Sequence, residues 1–214
     1  TQTGETRTVF FTGYPKEKCE VFLHVFGEAG LSPIVMDIDG LAVCNAYASL
    51  TPGADETLCI LNVGATHTNL CISQRDGFTF VRDIRFGGNR VSDFLVGTLG
   101  IPADAVEQYK LDPSNTTTVI SAVQAVVSEL TAEIVSGTRY FERKAEKTPS
   151  RFIVTGGCAR LPGLLESIEQ QVGGMSGEVW DPLSYMNTES ISDEVRAHGT
   201  AFAVCAGLLM RENG

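Results

Sequence analysis

The sequence has 214 residues, 43% of them hydrophobic and 20% charged, which is ordinary for a globular protein of one large or two small domains. The 26 acidic side chains outnumber the 16 basic ones and give a net charge of −10, which argues against a protein that coats nucleic acid or an anionic membrane. No run approaches the roughly 20 apolar residues of a membrane span, and no signal-peptide pattern opens the sequence. We therefore expect neither a membrane-spanning nor a secreted protein.

The first 50 residues alternate between strand and helix patterns. Residues 6–14 predict a β-strand, and apolar side chains at helical spacing after Pro15 predict a helix that ends at Gly30. Residues 33–38 predict a second short strand. The opening is therefore expected to run strand, helix, strand.

A further helix is predicted from Asp39, as its cap, through Leu50. Residues 51–56 contain Pro and Gly and interrupt the pattern, so we place a domain boundary there. The predicted domains are residues 1–52 and 53–214.

A three-stranded antiparallel meander is predicted next. Its strands are residues 57–63, 68–73 and 78–84, and Asp76-Gly77 is a turn signal between the last two. The predicted helices that follow cover residues 89–99, 102–109, 116–147 (capped by Ser114 or Asn115), 162–172 and 193–211. One more strand, residues 151–155, precedes the fourth of these helices. Small residues along the last helix indicate close approach to other backbone. The sequence therefore predicts a mixed α/β fold.

Six cysteines are present: Cys19, Cys44, Cys59, Cys71, Cys158 and Cys205. They form no C-x-x-C pair and show no metal-ligand spacing to a histidine. Most lie in apolar runs, where cysteine is a small buried hydrophobic residue. We therefore predict free thiols, with neither a disulfide framework nor a metal site, as in a reducing cytosol.

Two glycine turns carry the chemistry. In the first, Asn62 to Thr68, Gly64 lets backbone approach a ligand and can adopt positive φ, and backbone N–H groups and the Thr66 and Thr68 hydroxyls can bind phosphate oxygens. In the second, residues 155–159, Gly156 and Gly157 leave a flat surface at a strand end for an adenine or ribose. Each alone also fits a plain hairpin or a tight strand-to-helix turn. If both form one site, they must lie side by side in space.

Four stretches resemble the actin/Hsp70/FtsA superfamily and, within it, the PilM-like pilus assembly proteins. They are EAGLSPIVMDIDGLAVCNAY (28–47), LNVGATHTNLCISQRDGFTFVRDIRFGGNRVSD (61–93), FIVTGGCARLPGLLESIEQQVG (152–173) and AHGTAFAVCAGLLMR (197–211). The resemblance implies an actin-like (ribonuclease H-like) ATPase fold, with the remainder of a first lobe in residues 1–52 and a second lobe in 53–214. It also implies that the helix from Asp39 and the last helix connect the lobes.

The resemblance implies the site residues as well. The second phosphate loop would use Asn62, Gly64, Ala65, Thr66 and Thr68. The adenosine loop would use Gly156, Gly157 and Cys158, and Glu133 would contact the nucleoside. ATP with Mg²⁺ would be the cofactor of the full-length protein.

Two departures from the family pattern weaken catalysis. The family's first phosphate loop falls outside this sequence. In addition, Asn62 stands where the family often has an Asp, and an amide binds a hard cation such as Mg²⁺ less well than a carboxylate does. We therefore assign no catalytic or metal-binding residue. We expect no ATP hydrolysis by this chain alone, and little or no thermal shift with ATP and Mg²⁺.

The resemblance implies an adaptor that links cytoplasmic machinery to the cytoplasmic tail of a PilN-like inner-membrane protein, with self-association also open. The helix after Pro15 would then supply one wall of the tail's groove, unless Phe22 and Phe26 face the core instead. The alternatives are a sugar-kinase-like or Hsp70-like ATPase, for which Asp37 and Asp39 are the nearby carboxylates, an FtsA-like cell-division anchor, and a GspL-like secretion scaffold with a degenerate site.

Overall fold

The computed structural model describes residues 11–51, 57–74 and 79–211. They belong to two compact units, with the boundary between Met36 and Asp37. The helix from Asp39 therefore belongs to the second unit, while the predicted boundary at 51–56 falls mostly outside the described residues. We describe each unit by itself.

Within residues 11–36, the described part of the first unit, there is one helix, α1, Lys16–Glu28, as predicted from its periodicity. None of its residues is buried, and Phe22 and Phe26 are 51% and 41% exposed. Within this unit, these two side chains therefore do not pack in a core, which was the alternative to a groove wall. Residues 11–14 and 31–38 have no regular structure, which corrects the strand predicted over 33–38 and the described end of the one over 6–14. An extended segment needs a hydrogen-bonded neighbour, and no strand of the described chain pairs with either segment.

The second unit is built on one five-stranded sheet in the order β3-β2-β1-β4-β5. The strands are β1 Leu58–Val63, β2 Thr68–Ser73, β3 Thr79–Ile84, β4 Arg151–Thr155 and β5 Ser176–Val179. The first three form the predicted antiparallel meander, while β4 and β5 run parallel to β1. The strand β5 was not predicted, because its residues SGEV are short, polar and mostly exposed. The predicted turn at Asp76-Gly77 lies outside the described residues.

The α-helices of this unit are α2 Asp39–Leu50, α3 Gly88–Leu99, α4 Val106–Leu111, α5 Thr116–Val126, α6 Ser128–Ala145, α7 Leu164–Val172, α8 Asp193–Ala197 and α9 Ala203–Leu209. Ile38 rather than Asp39 is the cap of α2, and Asn115 caps α5 without a side-chain hydrogen bond. The predicted helix over 116–147 is wrong as one helix, since α5 and α6 are bent by 50° on either side of Val127. Val127 itself is fully buried, so the bend keeps both helices on the same core.

The predicted final helix, 193–211, is also interrupted. Residues Gly199–Phe202 form a 3₁₀ turn between α8 and α9. The Thr200 carbonyl accepts the Gly156 N–H at 2.9 Å and the Thr155 hydroxyl at 3.1 Å, so it is engaged by the end of β4 rather than by a continuous helix. The expected close approach is confirmed in α9, where a Cβ added at Gly207 would lie 1.7 Å from the Ala42 carbonyl oxygen.

Helices cover both faces of the sheet with separate clusters of buried side chains. Residues of α3, α5, α6 and α7 pack on one face, and residues of α2 and α9 pack on the other with Trp180. A disulfide joins Cys44 of α2 to Cys71 of β2, which corrects the prediction of free thiols for this pair. Sequence spacing could not predict the pairing, because the tertiary fold brings the two residues together. Cys19, Cys59, Cys158 and Cys205 are free, as predicted.

Among the described helices, no single one is long and apolar enough to cross a membrane, and α5 with α6 meets such a criterion only when the bent pair is taken together.

Candidate functional site

The two glycine turns are neighbours because the strands that precede them are paired. In the parallel register of β1 and β4, Asn62 lies opposite Thr155, so both strands end at the same edge of the sheet. The Cys158 N–H donates to the Val63 carbonyl at 3.0 Å. Gly156 has a φ of +95°, and a Cβ there would lie 2.5 Å from the Val63 carbonyl oxygen, so glycine is required. The predicted side-by-side arrangement is confirmed.

A third glycine turn joins them and was not predicted as part of the site. Gly88 donates its N–H to the Gly64 carbonyl at 3.0 Å, and Asn89 donates to the Ala65 carbonyl at 2.8 Å. A Cβ at Gly87 would lie 2.5 Å from the backbone of Ala65. The meander's end is therefore fastened to the first turn by backbone contacts that no side chain could replace. Gly64 itself does not use positive φ.

A polar pocket of about 400 Å³ opens beside the first turn. It is lined by Asp39, Asn62, Gly64, Ala65, Thr66, His67, Asn69 and Asp83. Four residues predicted from the first turn thus line a single cavity, together with the first residue of α2 and one residue of β3. Because amides, hydroxyls, backbone groups and carboxylates all contribute, the pocket suits an ionic ligand more than an apolar one.

The side-chain amides of the pocket form a directed chain. Asn62 donates through Nδ2 to Asn69 Oδ1 at 2.8 Å, and Asn69 donates through Nδ2 to Asp83 Oδ1 at 2.7 Å. Asn62 Oδ1 would be 2.6 Å from a Cβ at Gly156, so this oxygen faces the second turn. Asn62 therefore bridges the two turns, and the negative charge of the pocket resides on Asp83 and Asp39.

The structure separates the two carboxylates that sequence analysis considered together. Asp37 has a mostly buried side chain, which accepts the Ile38 N–H at 2.9 Å and forms an ion pair with Arg211. Asp39 lines the pocket, and desolvation, followed by the charge of Asp83, raises the pKa of its carboxyl group. Asp37 therefore has a structural partner, whereas Asp39 has a repulsive neighbour and space for a ligand.

The two predicted threonines have different surroundings. The Thr66 hydroxyl lies at the exposed rim, 2.9 Å from His67 Nδ1. Thr68 is fully buried, and its hydroxyl donates to the Phe86 carbonyl at 2.8 Å. Thr68 thus holds β2 to the segment before α3, and phosphate binding by its side chain stays a prediction.

A buried lysine lies on the other side of the three turns. Lys110 Nζ is 3.9 Å from the position of a Cβ at Gly88, and Cys158 Sγ is 2.5 Å from the same position. Lys110 donates to Ser92 Oγ at 2.8 Å and pairs with Glu107 Oε1 at 2.8 Å. The Lys110 ammonium group is therefore placed next to the second glycine turn by α3 and α4.

Glu107 completes this group. Partial burial alone would raise the pKa of Glu107, but the hydrogen bonds from Lys110 and Ser92 and the charge of Lys110 hold this pKa below its ordinary value of 4.5. The Glu107 carboxylate therefore stays ionised near neutral pH and keeps its ion pair with Lys110. Paired donors and acceptors of this kind match the hydroxyls of a ribose.

Glu133, the residue predicted to contact a nucleoside, lies on α6 and accepts a hydrogen bond from Arg82 of β3 at 2.9 Å. Both side chains are partly exposed. Glu107 and Lys110, which sequence analysis missed, adjoin the glycine turns instead. A signal for them existed, because E-x-x-K spacing places both side chains on one face of a helix.

Comparison with known proteins identifies the family. The family described as "Type IV pilus assembly protein PilM" matches residues 2–213. The chain belongs to the PilM family. This confirms the resemblance drawn from the motif stretches and agrees with the mixed α/β architecture of the second unit.

Solved structures of other proteins have the same fold as this PilM-family chain. A PilM–PilN type IV pilus biogenesis complex matches with a TM-score of 0.76 and 24% identity over 92% of this chain and 58% of the other. The ethanolamine utilization protein EutJ of Carboxydothermus hydrogenoformans gives 0.69 and 19%, over 92% and 62%. MreB5 of Spiroplasma citri, bound to AMPPNP, gives 0.64 and 13%, over 93% and 65%. The chain thus spans about three-fifths of these proteins, and the actin-like fold is confirmed.

The pocket residues of this PilM-family chain fit a nucleotide with Mg²⁺. Phosphate oxygens would meet the backbone of the Gly64 turn and the hydroxyl of Thr66. Mg²⁺ usually binds one or two carboxylates together with phosphates and water, and Asp39 and Asp83 are the residues that would hold it. Within the described residues no group of three His, Cys, Asp or Glu side chains could hold a metal alone, so phosphates would have to complete its coordination.

Proposed function

We propose that this protein is a nucleotide-responsive scaffold of type IV pilus assembly, and that residues 37–211 form the lobe that receives the nucleotide. The observation that carries the proposal is the convergence of three glycine turns. Gly88 donates to the Gly64 carbonyl, and Cys158 donates to the Val63 carbonyl, so backbone from three places meets at one edge of the sheet. Ligands of open α/β sheets bind at this edge, beyond the carboxyl ends of the strands.

In this proposal the nucleotide is oriented with its phosphates at the first glycine turn and its nucleoside at the second. Its phosphates would occupy the polar pocket beside Gly64 and Thr66, where Asp39 and Asp83 are the residues that would hold Mg²⁺ and so offset the phosphate charge. Its nucleoside lies against the flat backbone of Gly156 and Gly157. The support for this direction is the charge distribution, because the pocket has two carboxylates suited to a metal ion, whereas Lys110 and Glu107 offer paired groups for sugar hydroxyls.

Nucleotide binding to the scaffold would change its affinity for a membrane partner. Support comes from the family itself and from the solved complex of a PilM with PilN, to which this chain is similar in fold. We propose a PilN-like cytoplasmic tail as the partner, a cytoplasmic location next to the inner membrane, and binding rather than hydrolysis as the role of ATP. Asn62, neutral and hydrogen-bonded to Asn69, supports weak or absent hydrolysis.

The nucleotide site is tested by two matched pairs of variants in the protein at its full natural length. Glu107→Gln is compared with Glu133→Gln, and Lys110→Met with Lys144→Met, while MgADP affinity is measured by titration calorimetry. We expect about a tenfold or greater loss for the Glu107 and Lys110 variants, since hydrogen bonds to charged groups contribute about 1.5–3 kcal/mol. The Glu133 and Lys144 variants should bind as the parent does.

Equal losses at Glu107 and Glu133, or a loss at Glu133 alone, would return the nucleoside contact to α6. Circular dichroism melting of each variant separates loss of binding from loss of folding, because Lys110 is also a buried partner of Ser92.

The scaffold role is tested with the partner. A synthetic cytoplasmic tail of the PilN-like protein encoded with this pilus system is titrated into the full-length protein with and without MgATP. We expect binding whose affinity changes with nucleotide by about fivefold or more, as coupled sites typically do. Nucleotide binding without any tail binding would contradict the scaffold role but leave the nucleotide site intact.

A further inference from the structure

The disulfide of this protein connects two walls of the candidate phosphate pocket. Cys44 lies on α2, and Cys71 lies on β2, 27 residues later. Asp39, the first residue of α2, and Asn69, two residues before Cys71, both line the pocket. The covalent bond therefore joins the helix and the strand that each contribute a lining residue to the cavity.

A second contact fixes the same helix turn. Gly40 lies four residues before Cys44, so the two share one face of α2. A Cβ at Gly40 would be 2.5 Å from Val81 Cγ1 and 3.8 Å from Asn69 Cβ. The first turns of α2 are thus pressed on β2 and β3 at Gly40 and tied to β2 at Cys44, which leaves Asp39 little freedom to move.

The two sulfur atoms differ in access, which sets an order of events. Cys71 is 1% exposed, whereas Cys44 is partly exposed at the surface of α2. A soluble thiol or disulfide reagent therefore reaches Cys44 first, and Cys71 is the buried partner that closes the bond.

We propose that Cys44–Cys71 is a redox-sensitive clamp, which when closed holds the start of α2, and with it Asp39, against β2 and so sets the affinity of the pocket for nucleotide phosphates. The affinity part of this proposal rests on the proposed function. The clamp itself rests on the disulfide and on the packing of α2 alone.

The chemistry is thiol–disulfide exchange and balances with glutathione disulfide as the oxidant. The Cys44 thiolate attacks glutathione disulfide, forms a mixed disulfide and expels one glutathione thiolate. The Cys71 thiolate then attacks the Cys44 sulfur and expels the second glutathione. Two electrons pass to the oxidant, and the two cysteine protons end on the two glutathione thiols. A dithiol reductant reverses both steps.

The remaining cysteines do not compete for this role. Cys59 is buried in the side-chain cluster on the other face of the sheet from Cys44 and Cys71, so it cannot reach Cys44. Cys158 packs against the same cluster as Cys59. Cys205 is exposed on α9 and serves as a matched control for non-specific oxidation.

The first measurement counts thiols in denatured protein after exposure to glutathione disulfide and its removal. The chain has six cysteines, two of them in the disulfide, so four free thiols are expected, rising to six after dithiothreitol. Peptide mapping should recover residues 44 and 71 in one cross-linked species. Six free thiols after oxidation, or cross-links between other cysteines, would overturn the clamp.

The second measurement compares the melting temperature of the oxidised and the reduced protein. Closure of a loop of this length predicts a decrease of about 7–14 °C on reduction. The double variant Cys44→Ala/Cys71→Ala should lose this response, and Cys205→Ser should keep it. Hydrogen exchange of residues 39–47 should become faster on reduction in the parent and in Cys205→Ser, but not in the double variant. An unchanged melting temperature with unchanged exchange would overturn the clamp.

The third measurement is MgADP affinity in the two redox states, which we expect to weaken by about fivefold or more on reduction. Equal affinity in both states overturns the coupling and leaves the nucleotide site standing. Absence of MgADP binding in both states overturns the nucleotide site and, with it, the coupling, while the clamp is still decided by the thiol count and the melting temperature.

Discussion

The two faces of the sheet in residues 37–211 are covered in different ways. On one face, large side chains such as Phe141, Phe152 and Leu130 are fully buried among α3, α5, α6 and α7. On the other face, α2 and α9 approach each other through Ala42, Ala203 and Gly207, and a disulfide ties α2 to the sheet. Both faces bury large side chains, but the second also contains a direct contact between the backbones of α2 and α9. Adding a methyl group should therefore be most destabilising at the contact between α2 and α9, whereas deleting a large side chain should be most destabilising on the first face.

The largest effect is expected on the close-packed face. Gly207→Ala adds a single methyl group that would lie 1.7 Å from the Ala42 carbonyl oxygen, so the α2 and α9 backbones must separate. We expect a loss of about 4 kcal/mol or more in the free energy of unfolding, measured by urea titration. The matched control is Gly97→Ala on α3, where an added Cβ meets nothing within 4 Å, and which should stabilise the protein by about 0.4–1 kcal/mol. If both variants behave alike, the contrast between the faces is wrong.

The face filled by large side chains should respond to removal of volume instead. Phe141→Ala deletes a ring that is 0% exposed, and we expect a loss of about 3–5 kcal/mol in the free energy of unfolding. Phe141→Leu, which keeps most of the volume, should cost far less. A small loss for the alanine variant would mean that α6 collapses on the cavity. The same urea titration measures both.

The smallest effect is expected where α2 reaches the pocket. Folding raises the pKa of Asp39, so the folded protein favours the protonated carboxyl group. The stability that this group contributes is fully present below its ordinary pKa of 3.8 and is lost as the pH rises through the folded pKa. Asp39→Asn should therefore raise the melting temperature at pH 7 and have no such effect below pH 3.8.

Asp112→Asn is the control of opposite sign. Hydrogen bonds from the Ser114 side chain and backbone lower the pKa of Asp112, so its contribution is present at neutral pH and is lost on acidification. This variant should lower the melting temperature at pH 7. If both variants shift the melting temperature in the same direction at neutral pH, the opposite pKa shifts of Asp39 and Asp112 are contradicted.

Buried, regular elements could be predicted from the sequence with good bounds. The strands β1, β2 and β4 are short apolar runs between turn signals, a pattern that can be recognised from the sequence without knowing which strands pair. The strand β5 could not be predicted, because its residues are polar and its strand geometry comes from pairing with β4. The breaks at Val127 and Gly199 likewise depend on the core and on the end of β4, which local propensity does not contain.

The candidate site divides in the same way. Gly64, Gly156 and their neighbours were predicted from glycine and threonine placement at strand ends. Gly87, Lys110 and Glu107 were not predicted as part of the site, since their distance to the other turns is set by the packing of α3 and α4. Glu133, predicted from resemblance alone, is held by Arg82 in the structure.

By itself, the sequence determined the kind of most elements, the antiparallel meander and the two glycine turns at strand ends, because periodicity and glycine requirements are local properties. The tertiary structure alone decided which turns meet, which cysteines pair and which carboxylate faces the pocket. These depend on strand register and helix packing between residues far apart in the chain, and no local pattern encodes such distances.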